Sequence, residues 1–282
     1  MQGVNGSISL HFESNGRGST ILTDQQQRPP LQVIRAFDTG DGAALVHLHN
    51  VSGGVLAGDH LETTVTVGPG ARARVTSTSS TRVYRHQESR GDAKIINTAT
   101  IAANGILEWL PDSLIPYAGS RCEQTTVVTM DTGSGLFWWE IVGPGRTAHN
   151  EVFQYERLRL NFDVFTPDAL IFQERICLEP ALRPLSEPAR LGPYRYFCSF
   201  VVAKVGEDAR TWLDLESRLH EQTREWSLGD ASWGVSTLPA HGLILRGLGV
   251  NARDLLPGLQ AYWQTAKRAL YGIDAIVPRK VY

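Results

Sequence analysis

The residues best placed to do chemistry lie in and around residues 50–62, NVSGGVLAGDHLE. Gly53 and Gly58 have the spacing of a Walker loop, yet Asp59 and His60 stand where a phosphate loop needs Lys followed by Ser or Thr. A carboxylate in that place repels phosphate. The dinucleotide reading fails too, because the glycine spacing differs and LETTVTV reads as a strand rather than a helix that could hold pyrophosphate. Metal chemistry suits these residues better. His47 and His49 are two apart on an expected strand and so share a face, with Asp59 and His60 just beyond the following loop. Imidazole plus carboxylate fits nickel, copper or zinc. A turn-capping histidine with the others solvated accounts for the same spacing.

Other constellations are incomplete. His220 and Glu221 begin like a zincin HExxH, but Arg224 occupies the second ligand position. No GxSxG elbow is present, and Cys122, Cys177 and Cys198 are too far apart for a CxxC unit, so they read as buried free thiols. Three acids set in apolar strands are more informative: Glu108 in ILEWLP, Glu140 in FWWEIV and Glu174 in IFQERI. A carboxylate among Trp and Ile is costly to bury without a cation, a metal or water. The expectation is that Glu108 and Glu140 face outward, and that Glu174 either pairs with a neighbouring or cross-strand Arg or has a role of its own.

These side chains need a scaffold of strands. From residue 7 to about 205, short β-branched or alternating runs recur: LETTVTV, ARARVTSTSS, AKIINTATIAA, QTTVVTM, GLFWWEIV, ERLRLNFDVF, ALIFQERICL and YFCSFVVAKV, separated by turns such as GPG and DTGSG. VTVGPGARA and EIVGPGRTA echo each other, which is weak ground for a repeat. Two helices are predicted in the C-terminal third. In the first, Trp212, Leu215 and Leu219 form the apolar face; in the second, Asn251 and Asp254 form a capping box ahead of Leu259, Tyr262, Trp263, Ala266 and Leu270. Pro257 must kink the second helix or mark its start. The expectation is a mainly β single domain, 1–282, strand-rich over 7–205 and helix-containing over 206–282.

With 42% hydrophobic and 20% charged residues, the chain has a foldable composition, and its net charge of −2 supplies no general attraction to nucleic acid or anionic membranes. MQGVNGSISL lacks the pattern of a signal peptide, and no apolar run approaches a membrane span, which predicts a cytoplasmic protein.

Taken in order, GGVLAGDHL, VGPGARARVTS, STRVYR, LEWLPDSLIPY, WWEIVGPGR, FQERICL and the terminal VPRKVY resemble the urease accessory proteins of the UreD, or UreH, family. The chain departs from the family pattern at Val51, Ala57, Asp112 and Ser113, where a proline, a glycine and a Gln-Glu pair are usual. The resemblance implies a helix-like stack of β-sheets and a non-enzymatic scaffold. It further implies partners called UreF and UreG, the latter a GTPase, that deliver nickel into urease apoprotein, and it leaves room for a homodimer within that complex. No cofactor is implied beyond nickel in transit, along an internal passage lined by acids. By resemblance, Asp59 and Glu174 are the leading wall residues, with His60, Glu140 and Glu108 behind them.

Two other readings stay open at this stage. A carbohydrate hydrolase or lyase would use Glu108 and Glu140 as paired acids, and a plain interaction module would use the C-terminal aromatics Tyr262, Trp263, Tyr271 and Tyr282 as an interface.

Overall fold

The computed structural model describes residues 3–227 and 230–277, in which strand is the predominant regular structure. One sheet contains β1 (Asn5–Ser14), β2 (Thr20–Arg28), β6 (His60–Val67), β9 (Ala93–Ile101), β12 (Arg121–Met130), β14 (Arg157–Phe165) and β15 (Leu170–Leu178), in the order β15-β14-β12-β9-β6-β1-β2. The other has the path β17-β18-β16-β13-β10-β7-β5-β3, with β4, β8 and β11 attached beside it. Its members are β3 (Leu31–Gln32), β4 (Phe37–Asp38), β5 (Ala44–Asn50), β7 (Arg72–Ser77), β8 (Thr81–Val83), β10 (Ile106–Trp109), β11 (Leu114–Pro116), β13 (Gly135–Val142), β16 (Tyr196–Lys204), β17 (Ala231–Thr237) and β18 (Gly242–Gly249). Neither sheet closes into a barrel.

The middle of the chain winds alternately through the two sheets, β5, β6, β7, β9, β10, β12, β13, β14. Each strand therefore pairs in parallel with the one laid down a turn earlier: β6 with β9, β9 with β12, β7 with β10, β10 with β13. This winding is the stacked, helix-like β architecture expected from the sequence. The turns stack as well. Gly70 N–H donates to the Ala103 carbonyl and Asn104 N–H to that of Thr132, both at 3.0 Å, so the backbone ladder continues around the corner. Gly133, at φ +69°, sits where a Cβ would come within 2.3 Å of the Asn104 amide oxygen. The echoing Gly-Pro-Gly segments lie at opposite ends of β7 and β13 and bend differently, with positive φ at Gly70 and Gly145.

Hydrophobic burial creates two cores. Between the sheets, Phe12, Val65, Ile101, Val128, Leu158 and Phe162 meet Val75, Leu107, Trp109, Leu136 and Trp138. On the far side of the larger sheet, Phe137, Trp139, Phe200 and Leu245 meet the helices α1 (Ala209–Trp226) and α2 (Ala252–Tyr271). α1 buries Trp212, Leu215 and Leu219, as its periodicity predicts. α2 buries Leu259, Tyr262, Trp263, Ala266 and Leu270, and the Asn251 N–H donates to the Asp254 carboxylate at 2.6 Å. Pro257 falls in the second turn and so does not mark the start of the helix. Tyr262 and Trp263 are thus core residues rather than an interface, whereas Tyr282 and the rest of VPRKVY beyond Val277 lie outside the described residues. Short β17, which the strand pattern does not reveal, completes the edge of the larger sheet.

Because both faces of β10 are covered, Glu108 does not face outward as expected. It is buried under α2, on the side of Ile106 and Leu110, in a neutral set of four charges. Arg74 donates through Nε to Glu108 at 2.6 Å, through Nη2 to Asp41 at 2.8 Å and through Nη1 to the Ile276 carbonyl at 3.0 Å. Lys267 of α2 reaches Asp41 at 2.9 Å and Glu108 at 2.8 Å, and the Trp263 indole donates to Glu108 at 3.1 Å. Burial alone would push the Asp41 carboxyl up; hydrogen bonds from Thr39 and Lys267 and the charges of Arg74 and Lys267 outweigh it and hold the group well below the usual range. Arg74→Met or Glu108→Gln leaves partners unpaired and should cost about 3–5 kcal/mol in urea unfolding. Asp41's contribution is complete above its ordinary value of 3.8 and is lost as pH falls from there toward its depressed native value. Asp41→Asn should accordingly flatten the acid limb of the stability curve, read by thermal melting below about pH 4.

Candidate functional site

The inward face of most strands is apolar, but several carry one polar interruption, and register aligns these. In the smaller sheet Thr63 pairs with Asn97, Asn97 with Thr126, Thr126 with Phe162 and Phe162 with Glu174. In the larger sheet Glu140 pairs with Ser199 and Ser199 with Arg246. The two rows face each other. Gln124 donates its amide to Glu140, Ser199 Oγ lies 3.4 Å from Glu174 Oε1, and Arg246 donates to the same oxygen at 2.8 Å. The result is a polar seam through an otherwise apolar interlayer.

Space accompanies the seam. A cavity of about 140 Å³ between the sheets is bordered by Thr63, Asn97, Gln124, Thr76 and Glu140, and reaches His49 and Asp112. A second, of about 390 Å³, lies against Glu174, Ser199, Arg246 and Phe197. Glu140 stands at the first and Glu174 at the second. Burial pushes the Glu140 carboxyl up from 4.5 to about 7, and the charge of Glu174 adds to the rise; contacts from Trp138 and Gln124 favour the ionised form but do not offset it. Glu174 is 8% exposed and has a cation, Arg246, whose side chain is 63% exposed. Its partner comes from the opposite sheet, while Arg175 next to it pairs with Asp163.

The four acids and one histidine singled out in the sequence are therefore divided. Glu140 and Glu174 come together across the layers. Asp59 is buried at the end of the glycine loop, where its Oδ1 accepts the Val4 N–H and its Oδ2 the Leu56 N–H, each at 2.9 Å. Gly3 approaches so closely that a Cβ there would come within 1.9 Å of the Gly58 carbonyl oxygen. His60 lies on the outer face of β6, 2.8 Å from Glu62. Glu108 belongs to the charge set beneath α2 and is separated from Glu140 by the sheet itself, so the two cannot act as paired acids on one substrate. His47 stacks edge-on to Phe37 at 5.8 Å, and His49 borders the cavity.

Among the described residues, no three His, Cys, Asp or Glu side chains are placed to hold one metal ion. Cys122 and Cys198 are buried, and desolvation pushes the Cys122 thiol up to about 12; Cys177 is exposed, contrary to expectation, because it lies on the outer face of edge strand β15. Thr63, Asn97, Gln124, Ser199 and Arg246 escaped the sequence reading. Their signal is one or two polar residues in an otherwise apolar inward-facing series, visible only once the facing strand is known.

The family model for the UreD urease accessory protein matches residues 4–282. The chain belongs to the UreD family. A relative named Urease accessory protein UreD from Herpetosiphon aurantiacus is 42% identical over 283 residues, covering 100% of this chain and 98% of the relative. Relatives of the same name from Opitutus terrae (31% identical, 86% of this chain and 90% of the relative) and Haloarcula marismortui (30%, 98% and 90%) are also similar. No helix among the described residues is long and apolar enough to cross a membrane.

In this UreD-family chain, the raised Glu140 carboxyl implies a stability effect of definite sign. Its charged form is disfavoured in the native state, so the destabilisation grows as pH rises from 4.5 to about 7 and is constant above. Glu140→Gln should gain up to about 3 kcal/mol in urea unfolding at pH 8, and nothing at pH 4.

Proposed function

We propose that this chain is a non-enzymatic scaffold of urease maturation that passes nickel to urease apoprotein through the polar seam between its sheets, in complex with UreF-like and UreG-like partners. Family membership supports the maturation role. The observation that supports the route is the Glu140–Glu174 pair, one acid at each of two separate cavities along the polar seam. Nickel in transit needs oxygen or nitrogen donors, but a conduit must also let go. Two separated carboxylates backed by Gln124, Asn97, Thr63 and Ser199 offer weak, successive contacts instead of a closed cage. Among the described residues Glu140 has no cationic partner of its own, which leaves it available to an arriving cation. Asp59 braces the loop beside this seam, and Glu108 braces the helical side; the proposal gives neither them nor His60 a ligand role.

The test is urease nickel content and activity in cells carrying Glu140→Gln, Glu174→Gln or the double variant in place of the native chain. Each single change should lower both by about tenfold or more, one broken contact being worth roughly 1.4 kcal/mol, with urease protein and partner co-purification preserved and the melting temperature of the Glu140→Gln chain no lower than that of the native chain. Normal nickel content in the double variant would remove the seam from the route; normal content in cells lacking the chain altogether would remove the maturation role.

A further inference from the structure

The long loops at the end of the winding opposite the Gly68–Gly70 corner form a surface that the nickel route does not use. Gly54 lies flat against Tyr84, where a Cβ would come within 2.4 Å of the ring, and Val55 and Tyr84 exchange backbone hydrogen bonds with each other's loops. Tyr84 meets Tyr117 edge to face, with ring centres 5.1 Å apart. The Arg146 guanidinium sits 4.4 Å over Tyr117 and is held there by Glu151, which also accepts the Ala118 N–H at 3.2 Å. The stem of Arg85 covers Gly119, where a Cβ would lie 3.3 Å from Arg85 Cγ. Four of the segments that carry the family resemblance, GGVLAGDHL, STRVYR, LEWLPDSLIPY and WWEIVGPGR, thus converge on one stack.

The stack is half-buried and rigid, but its rim is open and unbalanced in charge. Arg82 and Arg85 are exposed and have no carboxylate partner among the described residues, nor has Arg90 behind them; Glu88 is the one unpaired acid on the same loop. Beside them Val51 and Leu56 are 61% and 42% exposed. Pre-ordered Tyr and Arg around small apolar contacts have the composition of interface hot spots, and their fixed geometry lowers the entropy lost on docking.

From this we infer that the surface formed by Tyr84, Tyr117, Arg146, Arg82, Arg85, and the apolar tip of the glycine loop is a docking face for the carboxylate-rich surface of another protein. Carboxylates of the partner pair with Arg82 and Arg85, and an apolar contact covers Val51 and Leu56. A nucleic acid fits less well, because Glu88, Glu151 and Glu156 are interleaved with the cations and repel a phosphate backbone. Docking here places the partner over the loop whose Asn50 and Val55 border the interlayer cavity.

The inference rests on the maturation reading only in the choice of partners to test. The full chain and its Arg82→Glu/Arg85→Glu variant would be titrated by biolayer interferometry against the purified UreF-like protein, the UreG-like GTPase and urease apoprotein of the same organism, at low and high salt. The native chain should bind at least one of them in a salt-sensitive manner. The variant should lose about tenfold or more in affinity for that partner and most of the salt dependence, with an unchanged melting temperature. Arg253→Glu, on α2 and 87% exposed, should change nothing. If charge reversal disturbs folding, Arg82→Gln/Arg85→Gln should show the same loss. Equal affinity and salt slope in native and variant chains would overturn the docking face and leave the maturation reading intact. Binding of the native chain to none of the three would overturn both. Binding of a single-stranded RNA that the variant loses would reassign the surface and also overturn the proposal.

Discussion

The constraint on which this structure depends is that its larger sheet is covered on both faces, by the smaller sheet on one side and by two helices on the other. A strand in that position has no water-facing side to which a charge can be turned, so each ionisable group in it must be partnered within the protein or remain energetically exposed. The chain contains both outcomes, one on each face. Beneath α2, Arg74, Glu108, Asp41 and Lys267 use nearly every donor and acceptor on one another, on Trp263 and on the Ile276 carbonyl. Such a closed set fixes the helix on the sheet in one register, since sliding α2 by a turn would strand Lys267 in an apolar layer.

On the interlayer face the same constraint is only partly met. Glu174 has Arg246, but Glu140 has an amide and an indole beside it and another carboxylate close enough to raise its proton affinity. A fold selected for stability alone would replace this acid by Gln or Leu at little geometric cost. Its presence beside a cavity, within a layer rich in Val, Ile and Phe, is the opposite of the quartet: an acceptor with no positive partner among the described residues. The contrast between the saturated and the unsaturated network, on opposite faces of one sheet, is what distinguishes the two acids; burial alone cannot, because both are enclosed.

The sequence carried the elements more clearly than their faces. Each of the strand runs from LETTVTV to YFCSFVVAKV is a strand, and both helices have the predicted apolar faces, because these signals are local. ILEW and FWWEIV are apolar on both faces, so alternation cannot say which way Glu108 and Glu140 point, and the outward orientation expected of both is overturned: Glu108 faces α2 and Glu140 the interlayer. Gln124, Asn97 and Thr63 were passed over because a neutral polar residue in a strand ordinarily faces water. Seeing them as a row requires the parallel register between β6, β9 and β12, pairings about 30 residues apart in sequence that no short window contains. Ser199 and Arg246 join them only through the second sheet.

The winding also explains how the glycine loop is held in place. At one end of the coil the chain turns by the shortest means available, Gly-Pro-Gly, Asn-Gly and Asp-Thr-Gly-Ser-Gly, and spends its hydrogen bonds on stacking one turn on the next. At the other end the connections are long enough to carry side chains, and it is there that the resemblance-bearing segments meet. Residues 50–62 bridge the two sheets at that end. Their glycines let the chain pass under Tyr84 and against Gly3, and Asp59 locks the loop by accepting two backbone N–H groups from opposite sides. A carboxylate held in that manner is a rigid post: to offer an oxygen to a cation it would have to release Val4 or Leu56 and, with them, the loop that walls the cavity. For Asp59 the hydrogen bonds, rather than the burial, thus show what the carboxylate does in the fold: both of its oxygens are committed to the backbone of the loop and of the N-terminal segment.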